Sequence, residues 1–84
     1  ELPEPHNNLA ALLARQNRYA EALDALQAAV RARPDYATAL ENLGDVYIAL
    51  AMEAYQNANK AMPSQPRAAS KRLAAEQLLK SSAP

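Results

Sequence analysis

Apolar residues recur along the 84-residue chain at the three- and four-residue spacing of helix faces, and prolines interrupt the pattern at 3, 5, 34, 63, 66 and 84. Proline has no amide hydrogen to give a helix and disfavours helical geometry in the residue before it, so these positions mark helix boundaries. Between them the pattern predicts four helices and no strand. The first holds Pro5 in its opening turn and carries Leu9, Leu12 and Leu13 to about Gln16, where Asn17-Arg18 makes a turn. The second runs from about Tyr19 to Arg33, with Ala22, Leu23, Leu26, Ala29 and Val30 on one face and Pro34 closing it. Asp35 is expected to cap the third, which starts near Tyr36 or Ala37. The fourth follows Ser64-Gln65-Pro66, carries Ala69, Leu73, Ala74, Leu78 and Leu79, and gives way to a fraying tail at Ser81-Ser82-Ala83-Pro84.

The chain also repeats itself. A shift of 34 places Asn8-Leu9 on Asn42-Leu43, Ala10 on Gly44 and Leu13 on Tyr47. A shift of 32 places Glu21-Ala22 on Glu53-Ala54, Leu26 on Ala58, Ala29 on Ala61 and Pro34 on Pro66. Leu40, Leu43-Gly44 and Tyr47, with Ala22, Leu26, Ala29 and Pro34, resemble the pattern of the tetratricopeptide (TPR) repeat family. The resemblance covers about residues 5 to 66 and implies an all-α fold of stacked helical hairpins. Repeat 1 spans 5–34, repeat 2 or its fused equivalent spans 37–62, and a capping helix spans 66–81. Small Ala and Gly let paired helices approach, while Leu and Tyr fill the space between repeats. The first repeat departs from the pattern, with His6 in place of a bulky aromatic and Ala10 in place of Gly.

The fall in offset from 34 to 32 means that two residues are missing between the helices of the second repeat. Residues 48–55 read Ile-Ala-Leu-Ala-Met-Glu-Ala-Tyr, without a Gly, Pro, Asn, Asp or Ser to make a turn. Meanwhile Leu40, Leu43, Tyr47, Leu50, Ala54, Ala58 and Ala61 keep helical spacing straight through. Either the two helices are fused over about 37–62, or a tight break lies near Ala49 to Met52 in a monomer. A fused helix is unable to fold back on itself, so something else must cover Ala54, Ala58 and Ala61. A second copy of the chain is the expected cover, giving a homodimer by exchange of helix ends through Leu50, Ala54, Ala58 and Ala61.

Composition narrows the function. The residues AVILMFWYC make up 50% of the chain, yet Trp, Phe and Cys are absent, so the core is thin and built largely on alanine. Nine basic against nine acidic residues leave no net field for nucleic acid or an anionic membrane surface. No apolar run is long enough to cross a bilayer, and no signal-peptide pattern is present, so direct membrane insertion is not expected. The start at Glu1-Leu2-Pro3 without Met suggests a segment of a longer protein, whose cellular address this sequence does not carry.

No chemistry is expected. One His and no Cys make no metal site, and one Gly makes no phosphate-binding loop. Ser64, Ser70, Ser81 and Ser82 read as capping or tail residues rather than nucleophiles, so neither an enzyme nor a cofactor is predicted. The resemblance instead implies a protein or peptide partner held in the concave groove of the repeats. Asn7, Asn8, Ala11 and Arg15 from the first helix and Thr38, Glu41, Asn42 and Asp45 from the third would line it. Family members that clamp acidic tails use lysines there, where this chain has Glu4 and Thr38, so that specificity is not expected. Tyr19, Tyr36, Tyr47 and Tyr55 read as packing residues, and Arg31, Arg33, Arg67, Lys71 and Arg72 as a solvated edge. The run from Glu41 to Tyr47, with Ala54-Tyr55, is also similar to TPR segments of some proteobacterial cell-envelope proteins. Two functions are therefore expected: a protein-interaction scaffold, or a regulatory or targeting domain of a larger enzyme.

Overall fold

Four helices follow one another in the computed structural model, which describes residues 2–81: α1 (Pro3–Arg15), α2 (Tyr19–Ala32), α3 (Ala37–Ala61) and α4 (Arg67–Ser81). No strand occurs among the described residues, and the expected fraying at Ser82, Ala83 and Pro84 lies outside them. The fold is all-α and TPR-like, as the repeat pattern implies. The chain divides into two compact units, Glu1–Tyr47 and Ile48–Pro84.

The first unit is built around the α1–α2 hairpin. Helix α1 begins at Pro3 rather than near Pro5, because either proline suits a first turn whose amide hydrogens have no carbonyl to reach. Its end is a Schellman motif, in which the Arg18 N–H donates to the Leu13 carbonyl at 2.9 Å and the Asn17 N–H to the Ala14 carbonyl at 3.0 Å. Asn17 supplies the left-handed residue the motif needs, at φ 60°, and its Oδ1 accepts from the Tyr19 hydroxyl at 2.9 Å. Arg18 then grips Glu21 in the first turn of α2, Nε to Oε1 at 2.8 Å. That hydrogen bond first, and the nearby positive charge as well, holds the Glu21 carboxyl below its ordinary pKa. The stabilisation is therefore complete at neutral pH and lost as the pH falls through the lowered pKa. Glu21→Gln should flatten that part of the acid limb in a pH series of thermal melts.

Helix α2, paired with α1, buries Ala22, Leu26 and Ala29 of the expected face, leaves Leu23 and Val30 of it half-buried, and also buries Ala25, which that face did not include. The α1 face differs from the expected one. Leu9 and Leu12 stand in solvent, and the buried line is Pro3, Asn7, Ala10 and Leu13. Close approach of two alanine-lined helices selects the smaller residues for the contact and leaves the bulky ones outside. From α3 the unit buries Ala39 and Val46. The Leu40 N–H donates to the Tyr36 carbonyl at 3.0 Å, so Tyr36 takes the capping position expected of Asp35. Asp35 instead faces Arg33, Oδ1 to Nε at 3.6 Å.

Helix α3 passes without interruption through residues 48–55, so the two helices of the second repeat are fused and no break occurs near Ala49 to Met52. The physical reason is local: nothing in that stretch accepts a left-handed conformation cheaply, as Asn17 does in the first repeat. In the second unit, α3 and α4 leave a shallow groove lined by Ile48, Ala51, Tyr55, Lys71, Ala74 and Leu78. Helix α4 does not present the expected face. Leu73 and Leu78 are 55% and 58% exposed, and Ala75 is its buried residue. Apolar residues surround α4 on all sides, so their bulk selects no face, and the closest approach falls at an alanine.

Candidate functional site

Two surfaces are candidates, the face of the first helices and the second half of α3. On the first, Asn8, Ala11, Arg15, Thr38 and Glu41 are exposed and Asp45 is half-exposed, leaving each open to solvent. Asn7 is not open. It is 7% exposed, and its Oδ1 accepts from the Asn42 Nδ2 at 3.1 Å, so the two amides tie α1 to α3 inside the first unit. The repeat alignment matched Asn42 with Asn8, whereas the structural pair is Asn42 with Asn7. A buried amide needs a partner, and in its absence the desolvation cost stays uncompensated. Asn42→Ala should accordingly cost about 1–3 kcal/mol in a urea titration, more than Asn8→Ala, which touches an exposed residue.

Arg33 belongs to this unit's edge and is already engaged. Glu4 Oε2 lies 3.7 Å from its Nη1, Asp35 lies on its other side, and the Tyr36 ring centroid is 5.2 Å from the guanidinium carbon. All of these groups are solvent-exposed or nearly so, and such pairs orient side chains more than they stabilise. Tyr36 thus packs beneath a cation at a helix start. The Tyr47 hydroxyl accepts from the Gln27 Nε2 at 3.5 Å, the outer limit of such a bond, while half of its side chain remains in solvent.

The second surface follows from α3. Leu50 is half-buried, whereas Ala54, Ala58 and Ala61 are all exposed. Their counterparts in the first repeat, Ala22, Leu26 and Ala29, are 0%, 1% and 0% exposed. The shift of 34 sets exposed Gly44 and Tyr47 against buried Ala10 and Leu13. In the second repeat these positions therefore stay small or apolar while standing exposed. Sequence reasoning missed Gly44 as part of this surface, although its alignment on Ala10 carried the signal.

Among the described residues no group of His, Asp or Glu is arranged to hold a metal ion, and no helix is long and apolar enough to cross a membrane. No curated protein and no solved structure matches the chain. A family model for the TPR repeat does match, over residues 12–50. That match takes in the end of α1, all of α2 and the first part of α3, and it stops at Leu50, where the family's second hairpin would turn. Residues 12–50 of the chain thus match a TPR repeat.

Proposed function

We propose that this protein is an interaction module that assembles with a second copy of itself through α3. TPR repeats generally mediate protein–protein interaction and are typically non-catalytic, and the surfaces described above offer binding rather than chemistry. The observation that carries the proposal is the exposure of Ala54, Ala58 and Ala61 on a helix that has no turn to cover them. In the first repeat the matching residues, Ala22, Leu26 and Ala29, are at most 1% exposed. An apolar helix face left in water forgoes its main source of stabilisation, and a self-associating chain recovers it.

The groove face is the weaker candidate for a partner, because Asn7 and Asn42 are committed to each other and Arg33 to its carboxylates. Sedimentation equilibrium from low to high micromolar concentration tests the proposal. A dimer whose dissociation is weakened by Ala58→Asp supports it. A monomer throughout that range would sink it.

A further inference from the structure

We infer that the groove between the second half of α3 and α4 takes an amphipathic helix of another protein, its apolar side in the groove and its carboxylates against Arg67 and Lys71. The groove lies wholly within the second unit, and the inference does not depend on self-association. About 320 Å³ in volume, it falls at the lower end of the range for binding clefts, and Ile48, Ala51, Tyr55, Ala74 and Leu78 make it mainly apolar. Lys71 is the charged residue of its lining. A smaller hollow of about 180 Å³ follows toward the α3–α4 connection, between Ala58 and Met62 of α3 and Arg67 and Ala68 of α4.

Spacing on both walls fits a helix as the occupant. The lining falls at 48, 51, 55, 58 and 62 on α3 and at 67, 71, 74 and 78 on α4, so each wall steps by three and four residues along one helix face. Two such ridges side by side leave a furrow into which a third helix lays its own side chains at the same spacing. From Ile48 to Met62 the furrow runs for about 21 Å, the length of a helix of roughly 14 residues. An extended peptide fits less well, because its backbone amides and carbonyls need partners, and the backbone groups of both walls are spent within their own helices. Leu78 and Met62, 58% and 52% exposed, are the apolar surface that the occupant would cover.

Charge gives the occupant its sign. The neutral total of the chain divides unevenly: residues 1–47 hold seven acidic and four basic side chains, whereas residues 48–84 hold two acidic and five basic. The two acidic ones, Glu53 and Glu76, line neither hollow, and the helical repeat sets them on the opposite sides of their helices. Arg67 and Lys71 stand one turn apart on the α4 wall, about 6 Å along its axis. Arg67 Nη2 donates to the neutral Gln65 Oε1 at 3.3 Å, and neither cation forms an ion pair among the described residues. Arg18 and Arg33 of the first unit, by contrast, are already matched with carboxylates. Two unmatched cations beside an apolar furrow favour a helix with carboxylates one turn apart along one edge. An anionic membrane suits the site less, because the groove is concave and α4 lacks the separate apolar and polar faces of an interfacial helix.

Fluorescence anisotropy with labelled synthetic peptides tests this. The probe is a helical peptide of about 14 residues with leucines on one face and glutamates along its edges. A second peptide carries lysine in place of every glutamate, and a third scrambles the order of the first. The glutamate peptide should bind in the micromolar range, and the other two at least about tenfold more weakly. Lys71→Glu should weaken the glutamate peptide about fivefold or more and strengthen the lysine peptide. Lys80→Glu, the same change of charge on the far side of α4, should have little effect. Leu78→Asp should abolish binding while circular dichroism shows its helices intact. Only the larger hollow is altered by these variants, since Ala58 of the smaller one also belongs to the face proposed for self-association. Equal affinity for the glutamate and lysine peptides, or equal losses from Lys71→Glu and Lys80→Glu, means diffuse attraction and overturns the inference. Absence of binding to the glutamate peptide at about 1 mM overturns it as well. In that event, binding to phosphatidylserine vesicles that Lys71→Glu abolishes assigns the groove to a membrane, and self-association that Leu78→Asp abolishes assigns it to a second copy. A wild-type chain that stays monomeric overturns the self-association through α3 and leaves this inference standing.

Discussion

Insertion of Asn-Arg after Leu50 should convert the proposed dimer into a monomer. The inserted pair restores the spacing of Gln16-Asn17-Arg18, where Asn17 takes the left-handed conformation that lets α1 end and α2 begin. With a turn available, Ala54, Ala58 and Ala61 fold back onto Gly44 and Tyr47 of their own chain. The choice between own chain and second copy is then one of effective concentration. A short connection holds its ends at roughly millimolar effective concentration, so at about 10 µM protein closure within the chain is favoured on the order of 100-fold. Sedimentation equilibrium should show the loss of dimer, while circular dichroism shows almost unchanged helicity. An inserted variant that still dimerises like the wild type would mean that the missing turn is not the cause of assembly.

Leu26→Ala should unfold a large share of the chain. Leu26 is 1% exposed and is the largest side chain so completely buried. The other residues buried on α1 and α2 are mainly small, with Leu13 the one other leucine among them, so little material exists to collapse into the space it leaves. Deleting a buried leucine down to alanine costs about 2–5 kcal/mol, and the upper part of that range applies where the site is unable to close. A domain of this size has roughly 4–13 kcal/mol in total, and a core this thin places it toward the lower end. Thermal and urea unfolding should both show the loss. A change under about 1 kcal/mol would mean that the α1–α2 contact is not the centre of stability, since typical surface substitutions stay below that.

Helix existence and helix type are legible in the sequence, and fusion of the second repeat is one of the two readings it leaves open, because each depends on residues acting locally. Prolines delimit, Asn17 turns, and residues 48–55 contain nothing that turns. Which residues of a helix face inward was less legible. In α1 the bulky Leu9 and Leu12 invited the assignment, yet Asn7 and Ala10 are inside, since two helices approaching closely are limited by the smallest side chains between them. In α4, alanines and leucines occur all round the helix, so Leu73 and Leu78 were no better guides than Ala75. The amide pair followed the same logic. The repeat marked Asn8 and Asn42 as equivalent, but the hydrogen bond goes to Asn7, a neighbour in sequence that points to a different side. The candidate surface on α3 was legible through Ala54, Ala58 and Ala61, whereas Gly44 required knowing that nothing lies near it.

The uninterrupted backbone of α3 also governs how order spreads through the chain. The second unit buries little of its own, Ala49 and Ala75 among its described residues, while the first holds most of the core. Starting a helix is the costly step, and extending one already formed adds a hydrogen bond for each residue fixed. The first unit is therefore the expected nucleus, from which helix would propagate past Tyr47 into a segment with little buried surface of its own. A turn at Leu50 would cut that propagation. The absence of a turn in residues 48–55 thus bears on folding as well: the second repeat holds one helix to nucleate where a hairpin would hold two.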